Sequence, residues 1–124
     1  MKKKDLERIE ALLHEERERL LAELEHLDHS FLESVKDASG DLSAYSFHMA
    51  DQGSDAYERE MNSLRSSAEG RLLMETVEAL RRLYRGEYGI CAGCGETIAR
   101  ERLLAMPQAT RCLACKTQEE RAGR

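Results

Sequence analysis

Two Cys-x-x-Cys pairs constrain this chain of 124 residues more than any other feature of its sequence. Each two-residue gap lets both thiolates of a pair turn toward one point, and seventeen residues separate the two pairs. A tetrahedral zinc ion needs two such pairs, and this spacing is typical of a zinc ribbon. The pattern therefore predicts one structural zinc ion, bound by all four cysteines of the sequence: Cys91, Cys94, Cys112 and Cys115.

Two other interpretations of the cysteines are a pair of disulfides and a thioredoxin-like redox motif. Disulfide frameworks are typical of small secreted domains, whereas this chain begins Met-Lys-Lys-Lys and continues into charged sequence. A redox motif uses one pair near a strand–helix–strand pattern, whereas here two pairs share one loop. Four cysteine ligands leave no open zinc position for a catalytic water. We therefore expect a zinc ion that stabilises the fold, and a protein that is not an enzyme.

The rest of the sequence favours long exposed helices with a narrow apolar seam, because charged residues make up 35% and aromatic residues only 5%. Residues 3–36 predict one helix with apolar residues at three-, four- and seven-residue spacing: Leu6, Ile9, Leu13, Leu20 and Leu27. A second helix is predicted from Asp55 to about Tyr84. Its apolar face comprises Met61, Leu64, Ala68, Leu72, Leu80 and Leu83, with Leu73 and Val77 beside it.

Two helices of similar length predict an antiparallel coiled-coil hairpin, with a tip loop at about residues 37–54. Gly86 and Gly89 are expected to end the second helix before the first cysteine pair. Residues 97–104 fit a short helical turn or the strand-like arm of a ribbon. The residues after Cys115 predict a short C-terminal helix. The predicted fold is thus mainly α, with a hairpin domain at 1–85 and a C4 zinc-finger domain at 86–124.

The net charge of −5 is unevenly distributed. Residues 85–124 contain seven basic and five acidic side chains, so residues 1–84 carry −7. Nucleic-acid affinity depends on neutralising phosphates, and an acidic rod does this poorly. We therefore expect a protein partner and no sequence-specific DNA binding. No apolar run approaches the length of a membrane span, and we expect a cytoplasmic protein without a membrane partner.

The order of these parts resembles the DksA/TraR family of bacterial transcription factors. The resemblance rests on GEYGICAGCGETIARERLLAMPQATRCLACK around the cysteines, on DAYERE at the start of the second helix, and on the tip phrase DLSAYSFHMAD. It covers roughly residues 39–117 well, and the first helix by position and character only. The cysteine motif is specific, whereas a helical hairpin alone would not be.

The resemblance implies a factor that binds RNA polymerase, enters its secondary channel with the coiled coil, and alters the stability of promoter complexes, often together with guanosine tetraphosphate. It assigns the tip function to Asp51, Asp55 and Ala56, and an alarmone contact to Lys116 after the last cysteine. Two departures stand out. The family's Asp-x-x-Asp-x-Ala tip has one more residue between the acids here, and Met106 replaces a basic residue before the proline.

Other functions fit parts of the pattern. An interaction protein of the same fold could serve another protein partner, as a stress or sporulation-related factor. A nucleic-acid-binding ribbon is disfavoured by the acidic charge, and a hydrolase is disfavoured by the full metal shell. Binding to RNA polymerase separates the first of these alternatives from the family role.

Overall fold

The computed structural model describes residues 1–27, 32 and 54–123, and for residues 54–57 it describes the helical backbone alone. Within these ranges the helices are α1 (Lys3–Glu23), α2 (Ser54–Ser66), α3 (Ala68–Tyr84), α4 (Arg100–Ala105) and α5 (Leu113–Ala122). The described residues form no strand, and their one isolated bridge pairs Ile90 with Thr97. The predicted fold class, a helical hairpin followed by a C4 zinc module and a short C-terminal helix, is confirmed.

Helix α1 packs antiparallel along α3, and the apolar seam between them is the main core. Ile9, near the start of α1, shares one hydrophobic cluster with Leu80, near the end of α3. Leu20, near the end of α1, shares a second cluster with Leu73, near the start of α3. All four side chains are fully buried. The predicted seam is therefore present. The cluster that contains Ile9 and Leu80 is named here the base cluster, and the cluster that contains Leu20 and Leu73 the outer cluster.

The first helix is shorter than predicted. Helix α1 ends at Glu23 and residues 24–27 form turns, with the Leu27 amide donating to the Leu24 carbonyl at 3.0 Å. The last turn of α1 contains no basic residue, and Glu23 and Glu25 lie at the negative end of the helix dipole, where acids are unfavourable. Residues 28–31 and 33–36 of the predicted helix, and the predicted tip loop up to residue 53, lie outside the described residues.

The prediction of one unbroken second helix is wrong. Ser67 adopts an extended backbone conformation (φ −111°, ψ 153°) between α2 and α3, and its hydroxyl accepts a hydrogen bond from the Gly70 amide at 2.9 Å. Ser67 is therefore the N-cap of α3, a position that serine favours because its side chain satisfies a free helical amide. Ala68 begins the next helix and is exposed, although the predicted stripe placed it on the apolar face.

The physical reason for the break lies in the phase of the apolar residues. Leu64 and Leu73 are nine residues apart, about two and a half turns, and would lie on opposite sides of an unbroken helix. Both are buried in the same cluster because the break turns α3 relative to α2. Leu73 and Val77, predicted beside the stripe, are therefore core residues, whereas Leu72 is only half-buried.

The segment after α3 folds back onto the base of the hairpin. Gly86 and Gly89 follow the end of α3 with positive φ angles of 73° and 89°. Residues 100–105 form helix α4, so the short helical turn describes this segment better than a strand-like arm, and α4 ends before Pro107. The base cluster joins α1 and α3 to the zinc module through Cys91, Ile98 and Leu103. The domain division at residue 85 stays a prediction.

Among the described helices, none combines the length and the apolar character that a membrane span requires.

We predict that replacing Leu20 with Ala lowers the free energy of unfolding by about 2–5 kcal/mol, because a fully buried leucine would leave a cavity in the outer cluster. Leu27 in the same arm is only half-buried and is the matched control, for which a smaller loss is expected. Urea denaturation followed by circular dichroism measures both variants. Equal losses for the two would contradict the packing described here.

Candidate metal centre

The four cysteine sulfur atoms converge on one point of the zinc module. Their Sγ atoms all lie within 4.8 Å of one another, and the Sγ atoms of Cys94 and Cys112 are 3.8 Å apart. Zinc–sulfur bonds of about 2.3 Å in a tetrahedron require sulfur–sulfur distances of about 3.8 Å. Four thiolates at this spacing suit zinc in both donor type and size. With all four positions filled, the ion would be structural and would have no open site for a substrate.

The first cysteine pair lies on a tight turn that is closed by backbone hydrogen bonds. The Cys91 amide donates to the Glu96 carbonyl at 2.8 Å, and the Gly95 amide donates to the Cys91 carbonyl at 3.0 Å. Gly95 has a φ of 78°, in the left-handed region that favours glycine. Gly93 lies in a crowded position, because a Cβ there would be 3.2 Å from Cys115 Sγ, a tight contact. Both glycines therefore allow the chain to turn closely around the sulfur atoms.

The second cysteine pair lies at the beginning of a helix. Cys112 is the N-cap of α5 and Cys115 lies in its first turn. Thiolates are favoured at a helix N-terminus because the free amides and the helix dipole stabilise negative charge. The Ala92 amide donates to the Thr110 carbonyl at 2.8 Å and so holds the two cysteine segments together.

The backbone around Cys91 stabilises its thiolate. Hydrogen bonds from the backbone amides of Cys112 and Cys94 lower the pKa of Cys91 to about 6. Hydrogen bonds with the side chains of Cys112, Cys91 and Cys94 raise the pKa of Cys115 to about 12, because they favour its protonated form. Binding zinc must therefore release protons from the cluster, and affinity for the metal falls as the pH is lowered.

Side chains hold the loop that connects the two cysteine pairs. The Tyr88 hydroxyl donates to the Pro107 carbonyl at 2.7 Å, and burial raises the pKa of Tyr88 well above its ordinary value, so the donor stays protonated. Arg102 donates through Nε to the Arg111 carbonyl at 2.9 Å. These contacts position the segment that delivers Cys112 to the metal site.

A two-point ion pair ties the zinc module to the beginning of the chain. Arg100 in α4 donates to both carboxylate oxygens of Asp5 in α1, at 2.8 and 3.0 Å. The guanidinium hydrogen bond lowers the pKa of Asp5 and keeps its carboxylate ionised. Sequence analysis missed this contact because 95 residues separate the partners. Arg82 adds a bond from α3, donating to the Ile90 carbonyl at 2.6 Å.

Lys116, the predicted alarmone contact, lies one residue beyond the last cysteine and is half-buried in α5. It lines a cleft of about 230 Å³ whose charged lining also includes Arg102, Arg111, Glu75 and Glu119. Arg111 forms an ion pair with Glu119. The cleft therefore contains acids as well as bases, and Met106 contributes an apolar side chain at its edge.

The structure describes little of the predicted tip residues. Asp51 is outside the described residues, and Asp55 and Ala56 fall in the first turn of α2, where the structure describes only the backbone. The structure thus brings the four cysteines together and places Lys116 beside them, whereas it describes no side-chain arrangement at the tip.

The chain is similar in sequence and in structure to proteins of one known family. Residues 86–121 match the family described as prokaryotic dksA/traR C4-type zinc finger. The structure of the transcription factor DksA2 from Pseudomonas aeruginosa matches with a TM-score of 0.58 and 29% identity, covering 100% of this chain and 89% of that one. With the geometry of the cysteines, the family match confirms the prediction of one structural zinc ion.

Two curated relatives are similar over different lengths. The uncharacterized protein YteA of Bacillus subtilis is 33% identical over 119 residues, which are 94% of this chain and 50% of YteA. The RNA polymerase-binding transcription factor DksA of Haemophilus influenzae is 43% identical over 58 residues, which are 46% of this chain and 40% of that protein. The matched segments are therefore half the length of YteA and less than half the length of that DksA.

We predict one zinc ion per chain in protein purified without chelator, measured by elemental analysis. Removing it should make all four thiols reactive and loosen the base cluster, because Cys91 is buried there beside Ile9 and Leu80. Most of the helical circular dichroism should persist, since the outer cluster contains no metal ligand. Protein that contains neither zinc nor iron and still folds cooperatively would contradict the prediction.

Proposed function

Because this chain belongs to the DksA/TraR family of C4-type zinc finger proteins, we propose that it is a transcription regulator that binds RNA polymerase through its helical hairpin. The observation that carries the proposal is the attachment of the zinc module to the base of the helical hairpin. The module is fixed to the base by the shared cluster and by the Asp5–Arg100 ion pair. A rigid base with a projecting hairpin suits a protein that reaches into a channel of its partner.

The chemistry of the metal centre supports a regulator rather than an enzyme. Zinc bound by four cysteine thiolates has no open position at which to polarise a substrate or activate water. In this proposal the metal holds the module in shape, and the effect on transcription comes from contacts with the polymerase.

The charge distribution supports a protein surface as the partner. The hairpin portion, residues 1–84, carries −7, and exposed carboxylates are repelled by a phosphate backbone. In the proposed mechanism the hairpin enters the secondary channel of the polymerase and changes the stability of promoter complexes. The family role assigns this action to the acidic tip.

Within the tip, we assign the active groups to Asp51 and Asp55, with Ala56 beside them. Asp55 lies in the first turn of α2, where a carboxylate is also favoured by the helix dipole. A structural role and a regulatory role at this position therefore make different predictions, because only the second depends on the polymerase.

We predict that a double variant, Asp51→Asn with Asp55→Asn, folds and binds RNA polymerase nearly as the wild type does but loses its effect on transcription in vitro. Asn keeps the size and much of the capping ability of Asp while it removes the charge. Glu58→Gln is the matched control, because Glu58 is an exposed acid farther along α2 and should remain dispensable. If the double variant regulated transcription as the wild type does, these two carboxylates would have no part in the mechanism. If the wild type did not bind RNA polymerase, the partner would be another protein.

An alarmone contact at Lys116 is part of the same proposal. The lysine lies in a cleft with Arg102 and Arg111, which supply positive charge for a phosphate-bearing ligand. Glu75 and Glu119 in the same cleft oppose such a ligand. Binding of guanosine tetraphosphate would therefore depend both on Lys116 and on the polymerase surface that faces the cleft.

We predict that guanosine tetraphosphate strengthens regulation by the wild type and not by Lys116→Ala, when both are assayed with RNA polymerase. Glu75→Gln should increase the response, because it removes a negative charge from the cleft. The dependence on alarmone concentration in a transcription assay measures all three proteins. An identical response of wild type and Lys116→Ala would exclude this contact.

A further inference from the structure

The break between α2 and α3 is closed by hydrogen bonds on both of its sides. On the α3 side, the Ser67 hydroxyl accepts from the Gly70 amide at 2.9 Å. On the α2 side, the Arg71 guanidinium donates to the Arg65 carbonyl at 2.9 Å. Free backbone groups at helix ends are costly when they lack partners. Residues 65–71, named here the joint, therefore form a stable connection with a defined geometry.

Gly70 provides the space that this geometry requires. It is buried, and a Cβ built on it would lie 1.8 Å from the backbone oxygen of Leu64 and 2.7 Å from the Leu64 carbonyl carbon. The last turn of α2 thus lies directly against the Cα atom of Gly70. Every residue with a side chain would collide with backbone atoms there, so the joint has to open or shift if Gly70 is replaced.

The apolar residues on either side of the joint need an interruption of the helix. Leu64 in α2 and Leu73 in α3 are buried in one cluster, although an unbroken helix would hold them on opposite sides. Straightening the arm would expose one of the two. The pattern of burial thus requires an interrupted helix, and the close approach of the Leu64 backbone to Gly70 favours a bend at the interruption.

In the first arm of the hairpin, helix α1 also ends at this cluster. Helix α1 ends at Glu23, and Leu24, the first residue beyond it, is buried with Leu64 and Leu73. Regular helix is therefore interrupted in both arms where they contact a single cluster. The cluster also contains Leu32 of the first arm and Met61 of α2, so the two arms remain in contact beyond the end of α1.

We propose that the joint is a fixed bend that sets the direction in which α2 projects from the base of the hairpin, and that regulation requires this direction. The first part rests on the described residues, and the second part rests on the proposed function. A regulator that acts through its tip depends on where that tip is delivered. A bend that is locked by packing would deliver it reproducibly.

The bend is tested first in the wild type by electron–electron double resonance. Spin labels are attached through a ketone-bearing amino acid at the exposed positions 58 and 85, which spares the four cysteines. An unbroken helix would separate these positions by about 40 Å. We expect one narrow distribution at a clearly shorter distance, and a distribution centred at 40 Å would overturn the proposal.

Gly70→Ala tests the role of the joint. We expect a shifted or broadened distance and a lower unfolding midpoint, although replacing glycine by alanine usually stabilises a helix. Gly123→Ala is the matched control, because a Cβ at Gly123 meets only ordinary contacts of 3.6 Å. It should leave distance and stability unchanged. A wild-type distance and a raised midpoint in Gly70→Ala would overturn the proposal.

The functional part is tested in the transcription assay. Gly70→Ala should bind polymerase and lose at least tenfold of the regulatory effect, whereas Gly123→Ala should regulate normally. If Gly70→Ala does not fold, Ser67→Ala replaces it, and we expect a broadened distance with reduced regulation. Full regulation despite an altered distance would overturn the functional part. A wild type that does not bind polymerase would refute the proposed function and leave the distance measurements as the test of the bend.

Discussion

The burial of Cys91 is the constraint on which the attachment of the zinc module to the hairpin depends. This metal ligand is only 2% exposed, and it belongs to the cluster formed by Ile9, Leu80 and Leu103. The same residue therefore takes part in metal binding and in the core at the base of the hairpin. Helix α5 buries none of its residues, and α4 has six residues, so neither could be held by packing alone. A zinc ion held by the four cysteines would supply the missing stability, and Cys91 would link the metal site to the base of the hairpin.

The features that sequence analysis predicted correctly have causes that are local in the chain. Tetrahedral metal binding requires two cysteine pairs, and the antiparallel hairpin follows from two apolar stripes of helical period. The break at Ser67 was not predicted because each half of the second arm has a good helical stripe of its own. Leu72 and Leu73 are adjacent and equally apolar, and only the packing against Leu20 and Leu64 decides which one is buried.

The candidate sites differ in how much of their function the chain itself determines. The four zinc ligands are fixed by chemistry within 25 consecutive residues. The surroundings of Lys116 include Glu75 from α3, a neighbour that only the folded structure reveals. The acids of the tip act, in the proposed function, on atoms of another protein. Their spacing in the sequence identifies candidates, but the geometry that makes them effective belongs to the complex.

The contact between Asp5 and Arg100 also constrains when the protein can fold during its synthesis. Its partners are separated by 95 residues, and α1 finds its packing surface on α3 and α4, which are made much later. At roughly 5–20 residues per second, the ribosome needs roughly 5–20 s to extend the chain from Asp5 to Arg100. A charged helix without its partner is only marginally stable. The first arm therefore emerges from the ribosome well before its docking surface exists, and its amphipathic face is open to chaperones and to other nascent chains during that interval.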